Sequence, residues 1–124
     1  MEPSYPAGSR LWASRLAYLM KAPSRGDVVV IRSPAMPKRL EVKRIIGLPY
    51  EELSWSAGRF HVNGALLEEP YARLRPAPPG DDEVHVVRLG PQDYFLAGDN
   101  RLYSHDSRRY GPVARFAILG KILS

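Results

Sequence analysis

Lys43 and the stretch LAGDNRLYSHDSRRYG at 96–111 hold the side chains of this sequence best placed to do chemistry. Lys43 follows Val42 and precedes Arg44, Ile45 and Ile46. A lysine set into an apolar wall loses hydration, so its charged form is disfavoured and its pKa falls. A neutral amine near pH 7 is what a lysine general base requires. The plain alternative is a solvated side chain turned outward. Arg44, on the opposite face of the same segment, cannot serve, because a guanidinium does not deprotonate in a protein.

The 96–111 stretch also has two readings. As a bend, Gly98, Asn100 and Gly111 supply turns, and Asp99 or Asp106 caps them. As a site, Asp106 and Arg108 stand two apart and can pair, while Ser104 offers a hydroxyl able to hold an amine in place. No metal centre is expected: His61, His85 and His105 are scattered over separate segments, and the chain has no cysteine. The aromatics, Trp12 and Trp55 among them, are expected in packing rather than on a base-stacking platform.

The elements that must position these groups read mainly as β. With 124 residues, 44% hydrophobic and 25% charged, a single globular domain over 1–124 is expected. GDVVVIRS (26–33) and LEVKRIIG (40–47) are β-branched runs suited to strands. RFHVNGALLEE (59–69) carries Asn63-Gly64 between apolar flanks, which predicts a hairpin. PYARLRPAPPGDD (70–82) has no periodicity and reads as a loop. EVHVVRL (83–89), DYFLAG (93–98) and VARFAILGKIL (113–123) are further strands, whereas 9–22 fits one helix or flattened strands equally. The fold class is therefore mainly β, antiparallel, with few or no helices. The net charge of +5 favours anionic surfaces, but its dispersal argues against nucleic acid as a partner. No apolar run reaches membrane-spanning length and the first ten residues are too polar for a signal peptide, so the chain as it stands is expected to be soluble.

The order of the segments adds a resemblance. MEPS at the start, RGDVVVIR at 25–32, VKRIIGLP at 42–49, GDNRLYSHDSRRYG at 98–111 and ILGK at 118–121 together resemble the type I signal peptidases, membrane-bound Ser/Lys endopeptidases. The likeness covers nearly the whole chain, and the 98–111 motif is its most specific part. It implies a single antiparallel β domain of signal-peptidase type, with 50–92 as a reduced second subdomain, roughly a hairpin and a proline-rich loop. It also implies Lys43 as general base, Ser104 orienting its amine, and Asp106 with Arg108 as supporting ion pair. Met1, Pro3, Gly98, Asp99, Asn100 and Ser107 would belong to the motif scaffold. No cofactor is implied. The partners would be the signal peptide of a preprotein and the lipid surface, in a membrane-anchored protein with its catalytic domain on the extracytoplasmic side.

The sequence departs from the family pattern in two places. The motif has a serine directly before the methionine that Met1 matches, so the nucleophile would precede Met1. Ser4 matches a Ser/Thr position of the motif and is not expected to replace it. A late start codon, a truncation, and a lineage without catalysis would each explain this. Tyr50 stands where the family usually has glycine after Gly47-Leu48-Pro49. The competing classes are a self-cleaving regulator of a related fold, for which no scissile loop or DNA-binding domain is present, and an inactive peptide- or membrane-binding module.

Overall fold

The computed structural model describes residues 13–14, 16–18, 21–57, 59–72, 83–101 and 105–123. A turn in which Asp27 Oδ2 accepts from the Ser24 N–H at 3.1 Å launches β2 (Val28–Arg32), following the short β1 (Ala13–Ser14). β2 pairs antiparallel with β3 (Leu40–Gly47), from Val28 opposite Arg44 to Arg32 opposite Leu40. β3 pairs on its other side with β8 (Asp93–Ala97), with Arg44 opposite Ala97 and Ile45 opposite Leu96. With β9 (Val113–Ala114) and β10 (Ile118–Ile122) they form a six-stranded sheet in the order β1-β10-β2-β3-β8-β9.

A second sheet, ordered β6-β5-β4-β7, comprises β4 (Glu52–Ser56), β5 (Arg59–Val62), β6 (Ala65–Leu66) and β7 (His85–Arg88). The expected hairpin is there: Val62 faces Ala65 across Asn63 and Gly64, both at positive φ (49° and 87°). This two-residue turn twists with its strands, and asparagine and glycine adopt it with least strain. The segment 50–92 thus carries more than one hairpin. The run ELSWS, not expected as a strand, became β4 because Leu53 and Trp55 alternate onto the buried face.

Side-chain alternation along β3 separates two cores. Ile45 packs with Val29, Ile31, Tyr94, Leu96, Val113 and Ile118 on one face. Ile46 packs on the other with Leu53, Phe60, Leu89, Phe95 and Ala97, filling the space between the sheets. Trp55 joins this second core, its ring centroid 5.0 Å from that of Phe95. Gly47 is required by close approach: a Cβ there would lie 2.6 Å from Leu53 Cδ1 and 2.8 Å from Leu89 Cδ1.

Two further expectations are refined. The 113–123 run is not one strand, since Arg115–Ala117 turn as a 3-10 helix between β9 and β10. Of 9–22, the described residues form β1, a 3-10 turn at Leu16–Tyr18 and non-helical backbone at 21–22, so the segment is not one continuous helix. The proline-rich stretch 73–82 lies outside the described residues. Only α1 (Ser107–Tyr110) is α-helical among the described residues, and the mainly antiparallel β architecture is as expected.

Candidate active site

The site lies where β8 leaves β3. After Ala97 the chain turns away through Gly98 and Asp99 and returns at Asp106 to enter α1. Asp106 is the helix N-cap, its Oδ1 accepting from the Arg108 N–H at 3.1 Å. Its carboxylate is also forked by the Arg108 guanidinium, Nε to Oδ1 at 2.9 Å and Nη2 to Oδ2 at 2.8 Å. The turn-capping and ion-pairing readings of this residue therefore hold together. Oδ2 accepts in addition from the Gly98 N–H at 3.0 Å, and Ser107 Oγ accepts from the Leu96 N–H at 2.9 Å. Because β9 pairs only with Asp93 and Tyr94, these two side chains take over as hydrogen-bond partners beyond its end. Both ends of the 98–106 excursion are thereby fastened beside β3. Burial pushes the Asp106 carboxyl up, but Arg108 and the two N–H donors outweigh it and hold it below the ordinary carboxylate value.

Lys43 is the β3 residue next to this junction. It stands opposite Val29, so it shares the face of Ile45 and the first core. Its side chain is half-buried, and burial lowers its pKa from the ordinary 10.5. The charges of Glu41 and Asp106 act the other way and Arg108 acts with burial, so all three lie within electrostatic reach of the amine. A solvated, outward lysine is not what the fold holds. β3 pairs with β2 over Leu40–Arg44, and its pairing with β8 begins at Arg44, directly after the lysine.

Arg44 and Asp99 are on the other face. Arg44 forks the buried Asp99 carboxylate, with Nε and Nη2 each 2.9 Å from an oxygen. The guanidinium also lies 3.8 Å from the centroid of the Tyr71 ring, whose hydroxyl donates to Glu69 at 2.7 Å. Glu69 is forked in turn by Arg101, which donates from Nε to the Gly98 carbonyl at 2.8 Å. This buried chain of charges ties the 69–71 segment and the 98–101 turn to the back of β3, and sequence reasoning identified neither pair. Asn100 is half-buried beside them, and Met1, Pro3, Ser4 and Ser104 fall outside the described residues. His61 and His85 sit on the second sheet and His105 on the 98–106 excursion.

Glu41 and Tyr110 were also missed. Glu41 stands opposite Ile31 and so shares the Lys43 face, and Tyr110 packs against the first core from α1. Glu41 Oε1 and the Tyr110 hydroxyl are both buried with no hydrogen-bond partner. Burial and the charges of Glu41 and Asp106 push the Tyr110 hydroxyl well above its ordinary value.

A family model described as "Signal peptidase, peptidase S26" matches residues 1–124. The chain belongs to the signal peptidase family. It is 36% identical over 126 residues to the probable signal peptidase I-2 of Synechocystis, which covers 98% of this chain and 56% of that protein. Signal peptidase I V of Bacillus subtilis is 30% identical over 132 residues, covering 98% of this chain and 77% of the relative. The crystal structure of a signal peptidase I from Enterococcus faecalis superposes with a TM-score of 0.70 at 28% identity, covering 84% of this chain and 98% of that one. The chain thus spans little more than half the length of the Synechocystis relative. The resemblance carried by the 42–49 and 98–111 motifs is borne out at the level of family and fold.

Proposed function

We propose that this signal peptidase family member forms the catalytic domain of a serine endopeptidase that removes signal peptides from exported preproteins. The observation that carries the reading is Lys43: a half-buried amine with a lowered pKa, on the sheet face of the first core, beside a motif clamped by Asp106 and Arg108. In a chain with a serine immediately before Met1, the Lys43 amine takes the serine proton as Oγ attacks the scissile carbonyl carbon. The C–N bond then breaks, the leaving amine accepts the proton, and water hydrolyses the acyl-enzyme with the same lysine as base. Ser104 orients the amine. Asp106 and Arg108 hold the wall behind it, while Asp99, paired with Arg44, stiffens β3 from the back. The substrate adds as an extended strand along the Leu40–Lys43 edge, with small residues at −1 and −3 before the cleaved bond. The intact protein is anchored in the membrane with this domain on the extracytoplasmic side.

The test is an extended chain bearing a membrane anchor and a serine before Met1, assayed on a preprotein with an Ala-x-Ala site. Cleavage that disappears in Lys43→Ala is expected. A folded, extended protein that binds the peptide without cleaving it would replace this reading with that of a peptide-binding module.

A further inference from the structure

Glu69 follows β6, in a segment fastened to the second sheet: Leu67 packs against the second core and donates its N–H to the Phe60 carbonyl at 2.9 Å. The Glu69 side chain is 4% exposed and that of Arg101 is 1% exposed, so the pair they form is nearly dry. Arg101 Nη1 donates to Glu69 Oε1 at 2.8 Å and Nη2 donates to Oε2, while Nε donates to the Gly98 carbonyl at 2.8 Å. The Phe60 ring centroid lies 5.0 Å from the same guanidinium. A two-pronged fork of this kind fixes the plane of the guanidinium as well as its position. Gly98 is held on both sides, because its N–H donates to Asp106 Oδ2 at 3.0 Å. Asp106 is forked in turn by Arg108, and the charges of both reach Lys43. A run of hydrogen bonds therefore leads from Glu69 through Arg101, Gly98 and Asp106 to the wall beside the lysine.

We infer that Glu69 is a positioning residue for the proposed peptidase: by holding Arg101 against the Gly98 carbonyl, it keeps the Asp106–Arg108 wall in the place that Lys43 requires. The inference rests on the peptidase reading above and adds to it a residue from outside the 42–49 and 98–111 motifs. It makes assembly of the site depend on the docking of the 67–71 segment, which belongs to the second subdomain.

Two variants separate positioning from stability. Glu69→Gln removes the charge and replaces one arm of the fork with a second donor. Glu69→Leu combined with Arg101→Met removes both charges, an exchange that buried ion pairs often accept without loss of stability, and it takes the guanidinium donor from the Gly98 carbonyl. The Lys43 side chain is titrated by NMR in the chain itself, and cleavage is measured in the extended chain of the preceding test. By charge alone, loss of a carboxylate lowers the pKa of a lysine. Loosening of the wall instead admits water to the amine and moves its pKa up, from the lowered value toward 10.5. The upward move is expected in both variants, with KM retained and kcat lower by about a hundred-fold, the loss that a displacement of roughly 1 Å brings. A Lys43 titration that stays in place or moves down in either variant, once folded, would overturn the inference. So would an unchanged kcat. If neither variant folds, Glu69 serves the fold alone and the inference falls. If the extended parent does not cleave, the peptidase reading fails by itself, and the Lys43 titration still decides whether Glu69 positions the amine.

Discussion

Burial works against the charge of Lys43, while Glu41 and Asp106 work for it, and burial prevails. The folded protein therefore binds the Lys43 proton more weakly than the unfolded chain does. Between the lowered folded pKa and the ordinary 10.5 the unfolded state carries the extra proton, so stability rises with pH across that window. Below it, the penalty for burying the ammonium is felt in full. Lys43→Met keeps the length of the side chain and removes the charge. It is expected to be more stable than the parent at neutral pH, with the difference closing as pH approaches 10.5. Urea denaturation of both proteins at several pH values measures this. A difference that stays constant from neutral to alkaline pH would mean that Lys43 titrates as an exposed lysine and is no candidate base.

At the scale of elements, the turn that follows β3 carries a strain that explains a departure from the family pattern. Tyr50 sits at φ 69° and is 79% exposed, so its backbone is left-handed and its ring packs little. The turn is held open to no alternative: Tyr50 N–H donates to the Leu89 carbonyl at 3.0 Å, and Glu51, forked by Arg25, accepts from the Leu48 N–H. A left-handed conformation costs an L-residue about 1–2 kcal/mol, which glycine avoids. Tyr50→Gly is expected to stabilise the domain by about 1 kcal/mol, a rise of roughly 4 °C in Tm. An unchanged or lower Tm would show that the strain is absorbed elsewhere. Glycine at such a position is a preference of backbone geometry, which is why the sequence pattern registered the exchange without its cause. Other elements were legible to different degrees. The β-branched run of β2 and the Asn63-Gly64 turn announce themselves because local physics alone decides them. β4 offers only Leu53 and Trp55 in five positions, and α1 is one turn long, too short for any periodicity. In the site, Asp106 and Arg108 are two apart and their pairing could be anticipated. Arg44 and Asp99 are 55 residues apart, and Arg101 and Glu69 are 32 apart, and only the fold brings those charges together.

At the scale of the whole molecule, charge and exposed apolar side chains bear on the proposed place at a membrane. The net charge is +5, and among the described residues no helix is long and apolar enough to cross a bilayer. Phe116 is 86% exposed, Leu16 73% and Leu123 63%; Leu16 follows β1, Phe116 lies in the turn before β10, and Leu123 follows β10. Lys121, on β10, is a half-exposed ammonium 3.6 Å from Asp27 Oδ1. An exposed apolar ring next to Arg115, in a protein of positive net charge, suits a surface that presents acyl chains beneath anionic headgroups. Transfer of a phenylalanine side chain out of water contributes about 1.5–3 kcal/mol, so losing it weakens partition by at least roughly ten-fold. Phe116→Ser is therefore expected to bind anionic lipid vesicles about ten-fold more weakly in a sedimentation assay. Its folding stability should change by less than about 0.5 kcal/mol, since the ring makes little core contact. Raising the salt from 0.1 M to 1 M shortens the screening length from about 10 Å to about 3 Å, so it should weaken both proteins and leave their ratio intact. A ratio of one at either salt would remove Phe116 from the membrane-facing surface and leave the attraction to charge alone.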